Sequence, residues 1–231
     1  MKNKKKLNMR HNLFLLTFVC LFFGFFLSTN AANPELIVTW KADNFFPTSY
    51  IGKAVPSYGT KVYLAVEAVQ NGTLLDVSNS TIEWRKNGER IRKGTGEKEA
   101  MVVFSETDRT NFVSVSVDWN GVLIQKSITI PTTEPKLILE IPYINNVVPK
   151  NSDISITAVP YFFNTKSFED LSFSWQIGLL KKGTGSNNKI TINTGNPSTT
   201  SNNSVSITGY VQNKKSLLEI IKTQTKIFIG N

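Results

Sequence analysis

The chain has very little histidine and cysteine, the side chains that most often serve in acid–base, thiol and zinc chemistry. Its 231 residues include a single histidine and a single cysteine, His11 and Cys20, and both fall within residues 1–32. The rest of the chain therefore has no imidazole for acid–base chemistry, no thiol nucleophile, no Ser-His pair and none of the usual zinc ligand sets. These absences predict a protein that is not an enzyme, with no catalytic residues, no metal site and no cofactor.

The shortage of cysteine also excludes disulfide bonds. Cys20 has no partner, so no disulfide stabilises the part of the chain after residue 32. That part has about 200 residues, which is enough for two domains of about 100 residues, each with its own modest core. Packing alone must stabilise both of them.

Two patterns that could carry chemistry have ordinary explanations. Glu169-Asp170 offers two carboxylates, as a glycosidase needs, but they are adjacent in a predicted loop and are expected to form a solvated turn. Lys93-Gly94-Thr95-Gly96 lacks the glycine-lysine-serine spacing and the strand-to-helix context of a phosphate-binding loop. Neither pattern changes the prediction of a non-enzymatic protein.

The first 32 residues have the order of a secretion signal. Met1 to Asn12 contains five Lys or Arg residues and no acid, Leu13 to Leu27 is an apolar run of fifteen, and Ala31-Ala32 offers small residues for cleavage. The run is shorter than the ~20 residues that span a bilayer, so we predict a removed signal peptide over residues 1–32. An uncleaved N-terminal anchor helix is the alternative. Both predict an extracytoplasmic protein that meets a membrane only through this leader.

The net charge gives no sign of a nucleic-acid partner. The formal charge is +9, but without the five leader cations the remaining 21 Lys and Arg face 17 acidic residues, which leaves +4. These basic residues are scattered through polar segments and form no continuous run, so we expect no nucleic-acid binding.

A tryptophan within a short alternating strand occurs twice. Thr81 to Gly88 contains Trp84 and ends in an Asn-Gly turn, and Phe173 to Gly178 contains Trp175, which follows Trp84 by 91 residues. Alternation of apolar and polar residues, interrupted by turn signals every eight to twelve residues, is typical of an antiparallel β-sandwich. The two tryptophans are therefore predicted to be core residues of two similar domains.

The predicted domain boundaries follow from the prolines between the repeats. Pro131-Thr132-Thr133-Glu134-Pro135 interrupts strand pairing and stiffens the connection. We predict one sandwich over residues 33–131 and a second over residues 132–231, placed end to end. The segment Lys215 to Ile221 is predicted as the start of the last strand, with a helical turn as the alternative.

Each predicted sandwich carries one loop with several aromatic rings. The first loop runs from Asp43 to Pro56 and the second from Pro160 to Asn164. Exposed rings of this kind can stack on a ligand, whereas rings that fold back can close the open end of a sandwich. The candidate ligand-binding residues are Phe45, Phe46, Tyr50, Tyr161, Phe162 and Phe163.

The strand context of Trp84 and Trp175 resembles that of bacterial immunoglobulin-like (Ig-like) surface domains, including the PKD type. The chain departs from them because it lacks the two core cysteines, has Phe112 where a tyrosine corner needs a hydroxyl, and has no Gly-Asp-Gly after either tryptophan. A second resemblance is to a family of exported two-domain proteins from uncultured bacteria with small genomes. It is carried by Trp40-Lys41-Ala42-Asp43, Phe46-Pro47, Tyr50, Gly52-Lys53-Ala54, Pro56, Pro160-Tyr161-Phe162-Phe163 and Val211 to Leu218.

These resemblances imply an all-β chain of two tandem Ig-like sandwiches with an envelope or extracellular location. They imply no activity. We therefore predict a structural, adhesive or protein-binding module whose partner is an envelope protein or a polysaccharide. Two alternatives remain open: a pair of carbohydrate-binding modules that use the loop aromatics, and a recruiting partner of a separate envelope enzyme or filament.

Overall fold

The computed structural model describes residues 33–106, 108, 111–195 and 203–230, and its regular secondary structure is almost entirely β-strand, mostly in antiparallel pairs. The predicted leader over residues 1–32 lies outside the described residues, as does most of the predicted polar loop between Gly195 and Asn203. Within the described residues, no helix is long and apolar enough to cross a bilayer.

Eight strands form the first sandwich. They are β1 (Glu35–Ala42), β2 (Lys61–Gln70), β3 (Thr73–Leu75), β4 (Thr81–Lys86), β5 (Glu89–Thr95), β6 (Glu99–Val103), β7 (Phe112–Trp119) and β8 (Val122–Thr129). In one sheet β2 pairs with β1 along one edge and with β3 and β6 along the other, while the second sheet has the order β5-β4-β7-β8. This division of strands between two sheets is that of an Ig-like sandwich.

The second sandwich repeats this plan with eight more strands. They are β9 (Lys136–Glu140), β10 (Val147–Pro149), β11 (Asp153–Tyr161), β12 (Leu171–Ile177), β13 (Leu180–Gly185), β14 (Lys189–Asn193), β15 (Ser204–Asn213) and β16 (Ser216–Gly230). One sheet has the order β14-β11-β9 and the other the order β10-β16-β15-β12-β13. Two short 3₁₀ turns lie over Ile144–Asn146 and Phe168–Asp170. The chain is thus a tandem of two Ig-like sandwiches.

Each sandwich has its own core, and each core contains a tryptophan from a strand that is paired on both sides within its sheet. Trp84 in β4 is 0% exposed, and its indole Nε1 donates to Glu97 O at 2.9 Å. Trp175 in β12 is also buried. Inward residues at every second position, such as those of β2 and β12, place one face of each strand in the core.

The Asn-Gly pairs of the first sandwich form tight turns between paired strands. The φ angles of Asn87 and Gly88 are 50° and 89°, and those of Asn120 and Gly121 are 51° and 78°. Turns with two positive φ angles match the twist of the flanking strands, and asparagine followed by glycine tolerates them best. These turns therefore fix the β4–β5 and β7–β8 pairings.

The structure departs from the sequence-based strand assignment in several places. Pro160 and Tyr161, predicted as loop, continue β11 and pair with Leu137 and Lys136 of β9. Proline is tolerated there because β14 pairs with β11 only from Asp153 to Thr157, so one side of Pro160 faces no partner strand. The alternative of a helical turn at Lys215 to Ile221 is wrong, because β16 begins at Ser216. No strand is predicted from the sequence at the positions of β3, β10 and β13.

Candidate functional site: the interdomain seam

The two sandwiches meet along an interdomain seam, formed by residues 43–60 of the first sandwich and residues 161–166 of the second. The chain reaches this region where β1 leads into β2 and where β11 ends. Phe45 and Phe163 form an isolated antiparallel bridge across it. Phe45 N–H donates to Phe163 O at 2.8 Å, and Phe162 N–H donates to Phe45 O at 2.6 Å. Backbone pairing therefore joins the two sandwiches directly.

Asn164 is the polar centre of the seam. Its side-chain amide donates to Tyr58 O at 2.7 Å, and its Oδ1 accepts from the hydroxyl of Thr60. Beside it, Ser57 Oγ donates to Phe162 O at 2.8 Å. Ser57 and Thr60 are buried, so these bonds satisfy groups that would otherwise lose water without compensation.

The backbone of Asn164 ties the seam to the hairpin of β15 and β16. Asn164 N–H lies 2.9 and 3.2 Å from the two carboxylate oxygens of Glu219. The buried side chain of Asn213 donates to Asn164 O at 3.1 Å and to Glu219 Oε2 at 2.7 Å. The carboxylate thus accepts from both groups, and charged acceptors form the stronger hydrogen bonds.

Two further contacts lie at the seam. One joins the two sandwiches, and the other holds the connecting segment. Lys166 Nζ lies 3.0 Å from Asp43 Oδ2, and this hydrogen bond raises the pKa of the lysine above its usual value. The Lys166 side chain is largely exposed, so water and salt screen the pair and its contribution is small. Thr133 N–H donates to Pro56 O at 3.0 Å, which fixes the proline-rich connection against the first sandwich.

All six aromatic residues predicted as ligand-binding candidates lie in or beside the seam. Phe163 is 0% exposed, Phe162 is buried and Phe45 is half-buried, with its ring centroid 5.8 Å from that of Phe168. Tyr50 forms edge contacts with Phe46, Tyr161 and Phe162 at centroid distances of 5.8, 6.0 and 5.5 Å. Phe46, at 38%, is the exposed member of the six. These rings pack mainly on one another across the two sandwiches.

The sequence interpretation missed the polar residues of the seam. Ser57, Thr60 and Asn164 stand in loops where such residues are common, and the sequence separation of 105 between Ser57 and Phe162 gives no local signal of their contact. The sequence signal for this contact is the pair of aromatic loops, because exposed aromatic rings are stabilised by packing against another surface.

The carboxylate pair Glu169-Asp170 lies in the 3₁₀ turn after the seam. Lys215 Nζ is 2.7 Å from Asp170 Oδ2, and the hydrogen bonds from Lys215 and from the Thr165 hydroxyl hold the pKa of Asp170 below its usual value. Such a carboxylate stays ionised and is a poor general acid. Among the described residues there is no cluster of three or more side chains suited to a metal ion.

Comparison with known proteins gives structural neighbours but no family. No family model matches the chain, and no curated protein matches it. It is similar to the three N-terminal domains of the bacteriophage RB49 Highly Immunogenic Outer Capsid protein, at 16% identity and a TM-score of 0.49, over 85% of this chain and 59% of that one. It is also similar to the ectodomain Ig1–Ig3 of mouse nectin-like molecule 4, at 11% identity and a TM-score of 0.35, over 86% of this chain and 64% of that one.

A further neighbour is the structure of the fibronectin(III)-like modules of Clostridium thermocellum CbhA, at 12% identity and a TM-score of 0.28, over 84% of this chain and 94% of that one. The chain therefore spans less than two thirds of the length of the phage and mouse structures. At this level of similarity, the fold assignment rests on the strand order and register described above.

Proposed function

We propose that this chain is a non-enzymatic, exported Ig-like protein that acts as a rigid structural or adhesive spacer at the cell envelope. The interdomain seam is the observation that carries the proposal. Backbone pairing between Phe45 and Phe163, together with the hydrogen bonds of Asn164, removes the freedom that two linked domains otherwise have. A spacer or a presenting surface needs that rigidity.

The strand directions also suit a spacer. In β1, Ala42 pairs with Val62 beside the seam, whereas Glu35 lies about 23 Å further along the strand. In β16, Ile220 lies beside the seam, and Gly230 lies about 33 Å further on. The first and last strands therefore lie in different sandwiches, and the start of β1 and the end of β16 are each far from the seam. Whatever precedes β1 is thus separated from whatever follows β16.

Export is the part of the proposal that rests on the leader. The basic, apolar and small-residue segments of residues 1–32 support delivery outside the cytoplasm, as a secreted or envelope-associated protein of the Ig-like or PKD type. A sandwich pair without disulfides is compatible with that compartment because each half has a continuous buried core.

The carbohydrate-binding alternative draws less support from the geometry. A sugar-binding platform needs a flat, exposed ring beside polar groups. Of the six candidate rings, Phe162 and Phe163 are buried, and Tyr50 is held edge-on by its neighbours. Phe46 is left as the ring with substantial exposure, and one ring gives little area for stacking.

Fractionation of the native cells tests the proposal most directly. The chain is expected in the envelope or the medium, to be degraded by protease added to intact cells, and to cross-link to a surface protein or polysaccharide. Recovery in the cytoplasm with protease protection contradicts it. So does turnover of a hydrolase substrate that survives repurification of the chain.

A further inference from the structure

A groove of about 300 Å³ lies beside the seam, between the first part of β16 and the proline-rich connection. Its walls include Tyr58 and Pro135 on one side and Leu218 and Ile220 on the other. Leu218 is 95% exposed, and Ile220 is also exposed. Two neighbouring aliphatic side chains in water beside an open groove mark a surface suited to a partner.

The outer edge of β16 is free next to this groove. Strand β10 pairs only with residues 228–230 of that edge, and Asn146 and Leu137 contact it near Lys226 and Thr223. Before Thr223, the described part of the chain offers no strand to this edge. An unpaired edge exposes backbone N–H and C=O groups that can pair with an added strand.

The charge of the groove is opposite to that of the protein. Glu106, Glu134 and Glu219 line it, and within the described residues none of the three has an ion pair with Lys or Arg. In a chain with a formal charge of +4 beyond the predicted leader, this local excess of negative charge favours a cationic occupant.

We propose that this groove binds an extended segment of a partner protein, added as a strand to the free edge of β16, in which aliphatic residues alternate with Lys or Arg. The alternation follows from β16 itself. The ladder with β15 is irregular between Ser216 and Ile220 and regular from Ile220 onwards, where exposed side chains alternate with half-buried ones. Leu218 and Ile220 are exposed beside the groove. Aliphatic residues of the added strand pack against Leu218 and Ile220, and its cations meet Glu134 and Glu106.

This inference goes beyond the proposed spacer role, which needs only the seam. It makes the junction itself a binding surface, since one wall of the groove belongs to the first sandwich and the connection and the other belongs to the second.

Selection from a library of displayed ten-residue random peptides against the full chain tests the proposal. Enriched peptides are expected to alternate aliphatic residues with Lys or Arg. Leu218→Ser is expected to weaken a synthetic version of the best peptide at least 10-fold, since it removes an aliphatic side chain from the apolar wall without changing the charge. Leu179→Ser is the matched control, because Leu179 is 96% exposed and lies in the β12–β13 turn, and it is expected to change binding less than 2-fold.

A double variant tests the charge separately. Glu106→Gln with Glu134→Gln is expected to weaken the peptide at least 5-fold at low salt and to flatten the dependence of binding on salt. A proline at the centre of the peptide is expected to abolish binding, because it removes a ladder hydrogen bond. The proposal is overturned by a failure to enrich any peptide, by enrichment without alternation, or by equal effects of the Leu218 and Leu179 variants. Circular dichroism identifies a variant that has lost its fold. None of these binding results changes the outcome expected from cell fractionation, which tests the spacer proposal separately.

Discussion

At the scale of single residues, Asn164 joins both sides of the junction through hydrogen bonds. Its side chain bridges to Tyr58 and Thr60 in the first sandwich, and its backbone bridges to Glu219 and Asn213 in the second. The asparagine side chain can do this because its amide is both donor and acceptor, whereas a phenylalanine ring in the same place would provide only apolar contact area.

Replacing Asn164 with alanine tests this role. Two side-chain hydrogen bonds are lost and the buried Thr60 hydroxyl loses an acceptor, so we expect the variant to be about 2–3 kcal/mol less stable in urea unfolding. Asn188→Ala is the control, because Asn188 also donates to a backbone carbonyl, that of Ala158, but lies outside the seam. A cost below about 0.5 kcal/mol for Asn164→Ala contradicts its role as the polar centre.

The pH dependence of stability provides a second residue-scale prediction. Asp108 lies 2.8 Å from Lys86 Nζ and accepts from Ser105 N–H, and these bonds hold its pKa below its usual value in the folded state. A carboxylate with a lowered folded-state pKa stabilises the fold above its unfolded-state pKa, and this stabilisation is lost as the pH falls through the folded-state value.

Asp108→Asn is therefore expected to be less stable than the unchanged protein at pH 7, and the two should converge as the pH falls from about 4 to about 2. Thermal unfolding across this range measures the difference. Asp118→Asn serves as the control, since Asp118 is exposed and has no ion pair among the described residues. A gap that stays constant down to pH 2 would show that the Asp108 contacts are not ionic.

At the scale of elements, the strands with a regular period of two could be predicted and the irregular ones could not. β2, β7 and β12 alternate clearly because one face of each is buried. β13 has the sequence Leu-Lys-Lys-Gly-Thr-Gly, without alternation, and it is a strand only because β12 offers an edge to pair with. Such tertiary pairing overrides local preference.

The seam could be predicted only in part for the same reason. The aromatic loops were visible in the sequence, and the alternative in which their rings close the end of a sandwich is close to the arrangement observed. What the sequence could not supply was the pairing of Phe45 with Phe163, since nothing local links two loops that are separated by a whole domain.

A glycine at the turn into β2 gives an element-scale prediction. Gly59 has a φ of 85°, and an added Cβ would lie 3.2 Å from Asn164 Nδ2. Gly72 has a similar φ of 76° with open space around it. Both Gly→Ala variants carry the same backbone strain, of about 1 kcal/mol. Gly59→Ala is expected to cost about 1 kcal/mol more in urea unfolding, because it also disturbs the Asn164 hydrogen bond. Equal costs would contradict tight packing at the seam.

At the scale of the whole molecule, two autonomous cores are combined with one shared junction. Each core contains its own tryptophan, and Phe45 from the first sandwich also packs against the second core. Among the described residues, the backbone hydrogen bonds between the sandwiches lie at the seam and the connection. Linked domains with little contact move freely, but backbone pairing and buried polar groups at a junction restrict that motion. A rigid spacer therefore requires the seam to remain closed in solution.

The distance between the far ends of the two sandwiches measures this most directly. Spin labels at Leu123→Cys and Leu179→Cys, two exposed positions away from the seam, in a chain with Cys20→Ser, report that distance by pulsed electron paramagnetic resonance. A closed seam predicts one narrow distribution of distances that broadens in Asn164→Ala and stays narrow in Asn188→Ala. A broad distribution in the protein with an intact seam would contradict it.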